Sequence, residues 1–210
     1  MSGSFSMSHT VTLEYPLSIV YPALSDSNQI ERLQRLTPEA QHFTLLPSDH
    51  VRLPLGGLAS FLGPTPSPTH PPNANNLPRP RTMDAVSDIE SGHEIGEVIE
   101  RAKFEFGGTV PLLFGLVNRP LSIAGAQIVD ANARIVLFES GVAAQGIREV
   151  KLRTFEEIDL KIGDGDGTKK GTEVRETVWG TCPRLLSYLL KFIAPGVHKH
   201  HMEMYHKLFE

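Results

Sequence analysis

Charged side chains on otherwise apolar, strand-like segments are the residues whose types and spacing could do acid–base chemistry in this sequence. Glu176 lies between Val174 and Val178 at the two-residue spacing that places side chains on one face of a strand. On the preceding apolar segment, Arg148 and Glu156 share one parity with most of the aliphatic residues. We therefore expect all three charged groups to point toward an interior. A buried carboxylate must be paired there or take up a proton.

Two interpretations of Glu176 follow from this placement. A protonated or half-shielded glutamate is a usable general acid or base, with Arg148 as its partner or as a donor to a developing oxyanion. The alternative is a purely structural Arg148–Glu176 ion pair that holds two strands together. The sequence leaves both open.

Histidines crowd the last segment of the chain, at His198, His200, His201 and His206. The first and third are three residues apart, as metal ligands on a helix can be, but no carboxylate completes an obvious ligand set, so we predict no metal site. His201 also falls within an apolar stripe, between Val197 and Met204. It is predicted to be either a core histidine or a polar group at the end of a cavity.

Motifs for cofactors are missing from the sequence. The glycines at Gly163, Gly165 and Gly167 are spaced for a turn and do not form a phosphate-binding loop, and no Gly-x-Ser-x-Gly nucleophile motif occurs. A single cysteine, Cys182, excludes an internal disulfide and a cysteine-based zinc site. The sequence therefore predicts no cofactor.

Composition limits the class of protein. The chain has 210 residues, of which 40% are hydrophobic and 21% charged, with a net charge of -4. We expect one packed domain over residues 1–210, without duplex nucleic acid as its partner. Neither a secretory signal nor a membrane span is predicted, which favours a cytoplasmic protein. Composition does not decide the oligomeric state.

The secondary-structure elements that must position these residues are predicted along the chain as a strand, two short helices, a strand meander and a long helix. Alternation from His9 to Tyr15 predicts a strand, and Ser18 and Asp26 are expected to cap two short helices after it. Closely spaced strand patterns from Val98 to Gly180 predict an antiparallel meander. A long C-terminal helix is expected to begin near Pro183 and to continue through Pro195.

An insertion at about residues 54–82 interrupts this order. No Asp, Glu, Lys or Arg occurs from Leu53 to Pro78, and seven prolines fall between residues 64 and 80. Gly63 to Arg81 is predicted to be an extended, mobile loop. The apolar stretch from Leu53 to Leu62 is instead expected to pack on the body, where it could cover Trp179 on the outer face of its strand.

The element order, together with Val174-Arg175-Glu176, Val178, Cys182 and His200-His201-Met202, resembles the START-like helix-grip superfamily, also called SRPBCC. That superfamily includes plant pathogenesis-related allergens and aromatic polyketide cyclases, and the chain looks most like an uncharacterised fungal branch of it. The resemblance implies an α+β fold. In this fold a curved antiparallel sheet wraps around a long C-terminal helix, with two short helices after the first strand and an apolar cavity inside.

The resemblance also implies a function, the binding of a hydrophobic small molecule. As an enzyme, the protein would be a cofactor-independent cyclase or isomerase, of pericyclase type if the reaction is concerted, acting on a polyketide or terpenoid-type secondary metabolite. Glu176 and Arg148 are then the expected catalytic residues. The expected ligand-binding residues are Phe104, Phe106, Phe138, Glu156, Tyr188 and His201. The alternatives are a non-catalytic lipid or metabolite carrier, and a protein-interaction module that uses the proline-rich segment.

Overall fold

The computed structural model describes residues 2–36, 40–53, 55–62, 96–112, 117–161 and 167–210. The predicted mobile loop from Gly63 to Arg81 lies outside the described residues, as does most of the insertion predicted at 54–82. Residues 55–62 of that insertion are described, and within them Gly57–Leu62 forms a short 3-10 helix.

Seven antiparallel strands form one sheet, which confirms the predicted meander. They are β1 (Ser2–Leu13), β2 (Ala40–Arg52), β3 (Val98–Leu112), β4 (Val117–Asp130), β5 (Ile135–Val142), β6 (Ile147–Lys161) and β7 (Thr168–Pro183). Their order across the sheet is β1-β7-β6-β5-β4-β3-β2. Consecutive strands from β2 to β7 are neighbours, whereas β1 crosses over to pair with the last strand.

In the described residues, three α-helices accompany the sheet: α1 (Leu17–Ser25), α2 (Ile30–Gln34) and α3 (Arg184–Glu203). A short 3-10 helix, Met204–Leu208, follows α3. Asp26 accepts a hydrogen bond from the backbone N–H of Asn28 at 2.9 Å and so caps the 3-10 turn that leads into α2, as its residue type predicts. The N-cap of α1 is Pro16, not Ser18. Pro195 lies inside α3, so the C-terminal stripe belongs to one helix, as expected.

One face of the sheet, which we call the inner face, packs against the helices. Its main apolar cluster joins the sheet to α1, α2 and the residues at and after the end of α3. The cluster consists of Leu13, Val20, Leu24, Ile30, Leu33, Phe104, Val136, Phe138, Val174, Met202, Tyr205 and Leu208. Toward the start of α3, Leu186 and Leu190 pack on Phe5, Val178 and Cys182. The inner face is thus covered by helices along β1 and β7.

The opposite, outer face has its own apolar cluster. It consists of Val51, Leu53, Leu58, Ile128, Ile135, Leu137, Leu152 and Trp179. Leu58 is fully buried, and its backbone N–H donates to the Asp130 carboxylate at 2.8 Å. Gly57 has a φ of 62°, and a Cβ there would collide with the same carboxylate. Leu58 thus packs on the body, as expected for this segment, and belongs to the same apolar cluster as Trp179, whereas Leu55 is exposed.

The side of α3 that faces away from the sheet is apolar and exposed. It carries Leu185, Tyr188, Leu189, Phe192, Ile193 and Val197, with exposures between 47% and 89%. Within the part of the chain that the structure describes, no helix is long and apolar enough to cross a membrane.

Candidate functional site

A buried ion pair lies at the centre of the inner face. The register of β6 against β7 places Arg153 directly opposite Glu176, and both side chains are 0% exposed. The guanidinium Nε donates to Glu176 Oε1 at 2.5 Å, and Nη1 donates to the carbonyl of Leu24 in α1 at 2.6 Å. Arg153 therefore links two strands and a helix in addition to neutralising the carboxylate.

Tyr205 completes this arrangement from the short 3-10 helix Met204–Leu208 that follows α3. Its hydroxyl accepts from Arg153 Nη2 at 2.9 Å and donates to Glu176 Oε1 at 2.7 Å. Burial alone would raise the pKa of Glu176, but the charges of Arg153 and Lys151 hold it well below its usual range. Burial raises the pKa of Tyr205. At physiological pH, Glu176 is therefore an ionised carboxylate and Tyr205 is a neutral phenol.

The second carboxylate oxygen, Glu176 Oε2, has no hydrogen-bond partner in the part of the chain that the structure describes. It points between Lys151 Nζ and His198 Nε2, and each of these nitrogens lies 3.5 Å away. The Lys151 side chain is only 13% exposed, and its ammonium group lies 4.6 Å from the centre of the Phe138 ring. A carboxylate oxygen, an ammonium group and an imidazole thus converge at one buried point.

The two buried histidines of α3 are neutral. Burial lowers the pKa of His198 to about 4 and that of His201 to about 3, and the lysine charge nearby acts in the same direction. Among the described residues, His198 Nε2 and His201 Nδ1 are both buried without a hydrogen-bond partner, and the His201 ring packs edge-on against Tyr205.

Two further titratable groups border the cluster. His9 on β1 lies opposite Glu176. Glu149 precedes Lys151 on the same face of β6, and burial, together with the neighbouring Glu176 charge, raises its pKa. The cluster therefore contains groups from β1, β6, β7 and α3, and these groups come together only in the complete fold.

The expected Arg148–Glu176 pair does not form. Arg148 is exposed and lies opposite Gly141 and Thr181, five residues before Arg153 on β6. Glu156 is exposed as well. The reason is that the parity of β6 is the reverse of the one expected: Leu152 packs on the outer face beside Trp179, and the odd-numbered residues face the helices.

The predicted ligand-binding aromatics divide into two groups. Phe104, Phe106 and Phe138 lie on the inner face, with the first two rings 6.2 Å apart and Phe104 packed over Gly125. Tyr188 is 66% exposed on the far side of α3 and does not face the sheet, contrary to expectation. His201 lies within the cluster, as predicted.

Sequence reasoning missed Lys151, Arg153 and Tyr205 and considered His198 only as a metal ligand. Lys151 and Arg153 alternate with Leu152 in the middle of a long strand. Charges at that spacing in such a strand are the signal that could have identified the pair. Among the described residues, no group of three or more histidine, cysteine or acidic side chains could hold a metal ion.

A surface cleft of about 300 Å³ lies on the other side of the sheet, beside the Gly57–Leu62 helix. Its buried carboxylate, Asp130, already accepts hydrogen bonds from the backbone N–H groups of Leu58 and Ala133 at 2.8 and 2.9 Å. Because the Asp130 carboxylate is paired in this way, the cleft is a weaker candidate site than the Glu176 cluster.

Known structures share this architecture. No model of a known protein family matches the chain, and no curated protein does. Truncated norcoclaurine synthase from Thalictrum flavum superposes over 99% of this chain and 94% of its own, with a TM-score of 0.52 at 9% identity. A point mutant of that enzyme in complex with a transition state analogue covers 99% and 95%, with a TM-score of 0.53 at 10% identity. A protein from Thermus thermophilus covers 97% and 95%, with a TM-score of 0.50 at 10% identity.

Taken with the sheet order and the C-terminal helix, these likenesses define the class of fold. The chain has the helix-grip fold, with a seven-stranded antiparallel sheet and a long C-terminal helix. At identities of 9% and 10% the likeness extends to the fold alone.

Proposed function

We propose that this protein binds a hydrophobic small molecule between the sheet and the C-terminal helix and catalyses a cofactor-independent isomerisation or cyclisation of it. The observation that carries the proposal is the buried meeting point at Glu176 Oε2, with Lys151 Nζ and His198 Nε2 each 3.5 Å away. A molecule with a carbonyl group placed there would meet a proton donor and a base on an apolar wall.

In the proposed reaction His198 is the general base. Its neutral imidazole removes a proton from the carbon next to a carbonyl group, and the C–H electrons form the double bond of an enolate. Lys151 donates a hydrogen bond to the enolate oxygen and stabilises its negative charge. For isomerisation, the imidazolium returns the proton to a different carbon. For ring closure, the enolate carbon attacks a second carbonyl group, whose oxygen takes the proton.

Glu176 has a positioning role in this proposal. Because Arg153 and Tyr205 occupy Oε1 and keep the carboxylate ionised, Glu176 is a poor proton donor. Its free Oε2 instead orients the lysine and the histidine toward the same point. The negative charge also favours the imidazolium that forms during the reaction.

The inner-face aromatics supply the shape of the site. Phe138 lies under the Lys151 ammonium, and Phe104 and Phe106 extend the apolar wall across β3. An enzyme of the same fold, norcoclaurine synthase, holds a transition state analogue, which supports small-molecule chemistry on this architecture. The resemblance to a fungal branch of the superfamily suggests a polyketide or terpenoid-type substrate.

A non-catalytic carrier is the second candidate, and one observation favours it. The pKa values of His198 and His201, about 4 and about 3, lie far from the neutral range in which a histidine is the most effective general base. A carrier needs the apolar wall and the polar contacts but no proton transfer.

Deuterium exchange separates the two candidates without knowledge of the substrate. We expect the purified protein to accelerate exchange of the protons next to the carbonyl group of 2-tetralone in D2O, followed by NMR. His198→Asn should lower the rate by about two to four orders of magnitude, the usual contribution of a positioned base, and leave tetralone binding intact. His206→Asn, at an exposed histidine on the same C-terminal segment, is the matched control and should exchange at the wild-type rate.

The other outcomes are equally informative. Binding of tetralone without accelerated exchange would identify a carrier. Exchange that survives His198→Asn would remove this histidine from the mechanism. The absence of both binding and exchange would contradict the proposal.

A further inference from the structure

We propose that the molecule held between the sheet and α3 carries an oxyanion, as a carboxylate or as the enolate of a 1,3-dicarbonyl group, and that Lys151 binds it. This inference rests on the proposed function, because it names the class of ligand for the same site. It follows from the charges and hydrogen bonds around Glu176.

Two cations share the Glu176 carboxylate in the buried cluster. They are Lys151 and Arg153, whose side chains are 13% and 0% exposed. Arg153 binds the carboxylate through a 2.5 Å hydrogen bond and also contacts Tyr205. The guanidinium is therefore the close partner of Glu176, and the Lys151 ammonium has only a 3.5 Å contact with the same carboxylate.

The Lys151 ammonium also lacks good hydrogen bonds. It has three N–H donors, and the carboxylate oxygen nearest to it is 3.5 Å away, longer than an ordinary hydrogen bond. Its other close contact is the face of the Phe138 ring at 4.6 Å. A largely buried ammonium group in this state is costly, and an oxyanion with charge-assisted hydrogen bonds would satisfy it.

The other groups around the site make no ion pair with Lys151 in the part of the chain that the structure describes. Glu149 lies two residues before Lys151 on β6; burial raises its pKa, and the nearby Lys151 charge opposes that rise. His198 and His201 face the site from α3 as neutral rings, and His9 lies opposite Glu176 on β1. The 3.5 Å contact with Glu176 is therefore the ion pair that Lys151 makes among the described residues.

The surroundings of Lys151 define the rest of the ligand. Phe138 and Phe104 belong to the apolar cluster on the same face, and His198 Nε2 and His201 Nδ1 provide two unpartnered polar atoms. An apolar, ring-containing body with one oxyanion fits both features. A neutral molecule of the same shape would satisfy only the apolar wall.

Three probes of similar size test this inference: 1-naphthoate as a carboxylate, 2-acetyl-1-tetralone as an ionisable 1,3-dicarbonyl, and 1-naphthalenemethanol as the neutral reference. Calorimetric titration is performed at a pH at which the dicarbonyl is ionised. We expect the anions to bind wild-type protein at least about tenfold more tightly than the alcohol. Lys151→Met should abolish this preference, and Lys169→Met, at a partly exposed lysine of β7, should retain it.

Each outcome decides a different point. A preference for both anions, or for the carboxylate alone, supports the inference and identifies the group that is bound. Equal affinity for the anions and the alcohol overturns the inference and leaves the proposed function standing. No binding of any probe overturns both. The wild-type comparison holds even if Lys151→Met does not fold, and Lys151→Arg, which keeps the positive charge, should keep the preference.

Discussion

The two faces of the sheet bury their charged groups to different extents. On the outer face, the apolar cluster lies beside the ion pairs of Arg101 with Asp49 and Glu139, whose side chains are 11% to 25% exposed. On the inner face, the helices enclose a charged centre of Arg153, Glu176 and Lys151, in which the ion pair of Arg153 with Glu176 is 0% exposed.

This difference sets the fully buried ion pair of the inner face apart from the partly exposed ion pairs of the outer face. Replacing a buried ion pair by apolar groups is often neutral or stabilising in proteins. The three charged side chains and two histidines enclosed on the inner face are the groups to which the proposed function assigns binding and catalysis. The comparison can be tested by changing one face at a time.

The largest effect is expected from Arg153→Met. It would remove the buried hydrogen bonds of Arg153 and leave Glu176 with only the 3.5 Å contact to Lys151, so the free energy of unfolding should fall by about 3–5 kcal/mol, measured by urea denaturation. The double variant Arg153→Met/Glu176→Gln removes both charges and should recover at least half of that loss. A double variant as unstable as the single one would show that the ion pair itself stabilises the inner face.

On the outer face the corresponding change is Leu58→Ala. Leu58 is 0% exposed, so the cavity should lower the free energy of unfolding by about 2–5 kcal/mol, the usual range for a buried leucine. Leu55→Ala is the matched control, because Leu55 is 63% exposed and its loss should change stability by less than about 0.5 kcal/mol. Ligand binding should survive in both variants. Loss of binding in Leu58→Ala would show that the two faces are coupled.

Between pH 6.5 and 4, acid sensitivity should come mainly from the buried histidines of the inner face. The pKa values of His198 and His201 lie at about 4 and about 3, below the ordinary value of 6.5, so the unfolded chain binds more protons in this range. Stability should therefore fall as the pH decreases from 6.5 toward 4, by up to about 1.4 kcal/mol per pH unit for each histidine.

Urea denaturation at a series of pH values measures that slope. His198→Asn should remove about half of it, whereas Leu58→Ala should lower stability by the same amount at every pH. An unchanged slope in His198→Asn would mean that this histidine is not held neutral by the fold.

The smallest effect is expected from Arg148→Met. Arg148 is exposed and distant from the charged centre, so the free energy of unfolding should change by less than about 0.5 kcal/mol. Anion preference should remain at the wild-type value. A loss of unfolding free energy as large as that of Arg153→Met would support the Arg148–Glu176 pair that the sequence predicts and would contradict the register of β6 and β7.

How far the sequence predicted the site depends on the strand. In β7, Glu176 alternates with valines on one parity, whereas Arg175 and Thr177 are on the other, so its inner face was recognised correctly. In β6 both parities carry large apolar side chains, such as Leu152 and Phe155, because both faces of the sheet are buried. Alternation alone cannot tell which of two buried faces lies under the helix.

The C-terminal helix has the same ambiguity. Leu186 and Leu190 pack on the sheet, whereas Leu185 and Leu189, one residue earlier in each turn, are exposed. Because apolar residues surround the first half of α3, their spacing predicts a helix but does not select its buried side. Tyr188 was therefore assigned to the wrong side, although the helix and its beginning were predicted correctly.

The pairing of β1 with β7 has a consequence for how the protein is made. Strands β2 to β7 follow one another in the sheet and can form successive hairpins as a nascent chain leaves the ribosome. β1 cannot pair until β7 has been synthesised, because Ser2 pairs with Pro183 and His9 with Glu176, near the other end of the sequence. Such long loops close slowly, and α3 is synthesised later still. The charged centre therefore stays in contact with water through most of synthesis and loses it in the last steps of folding.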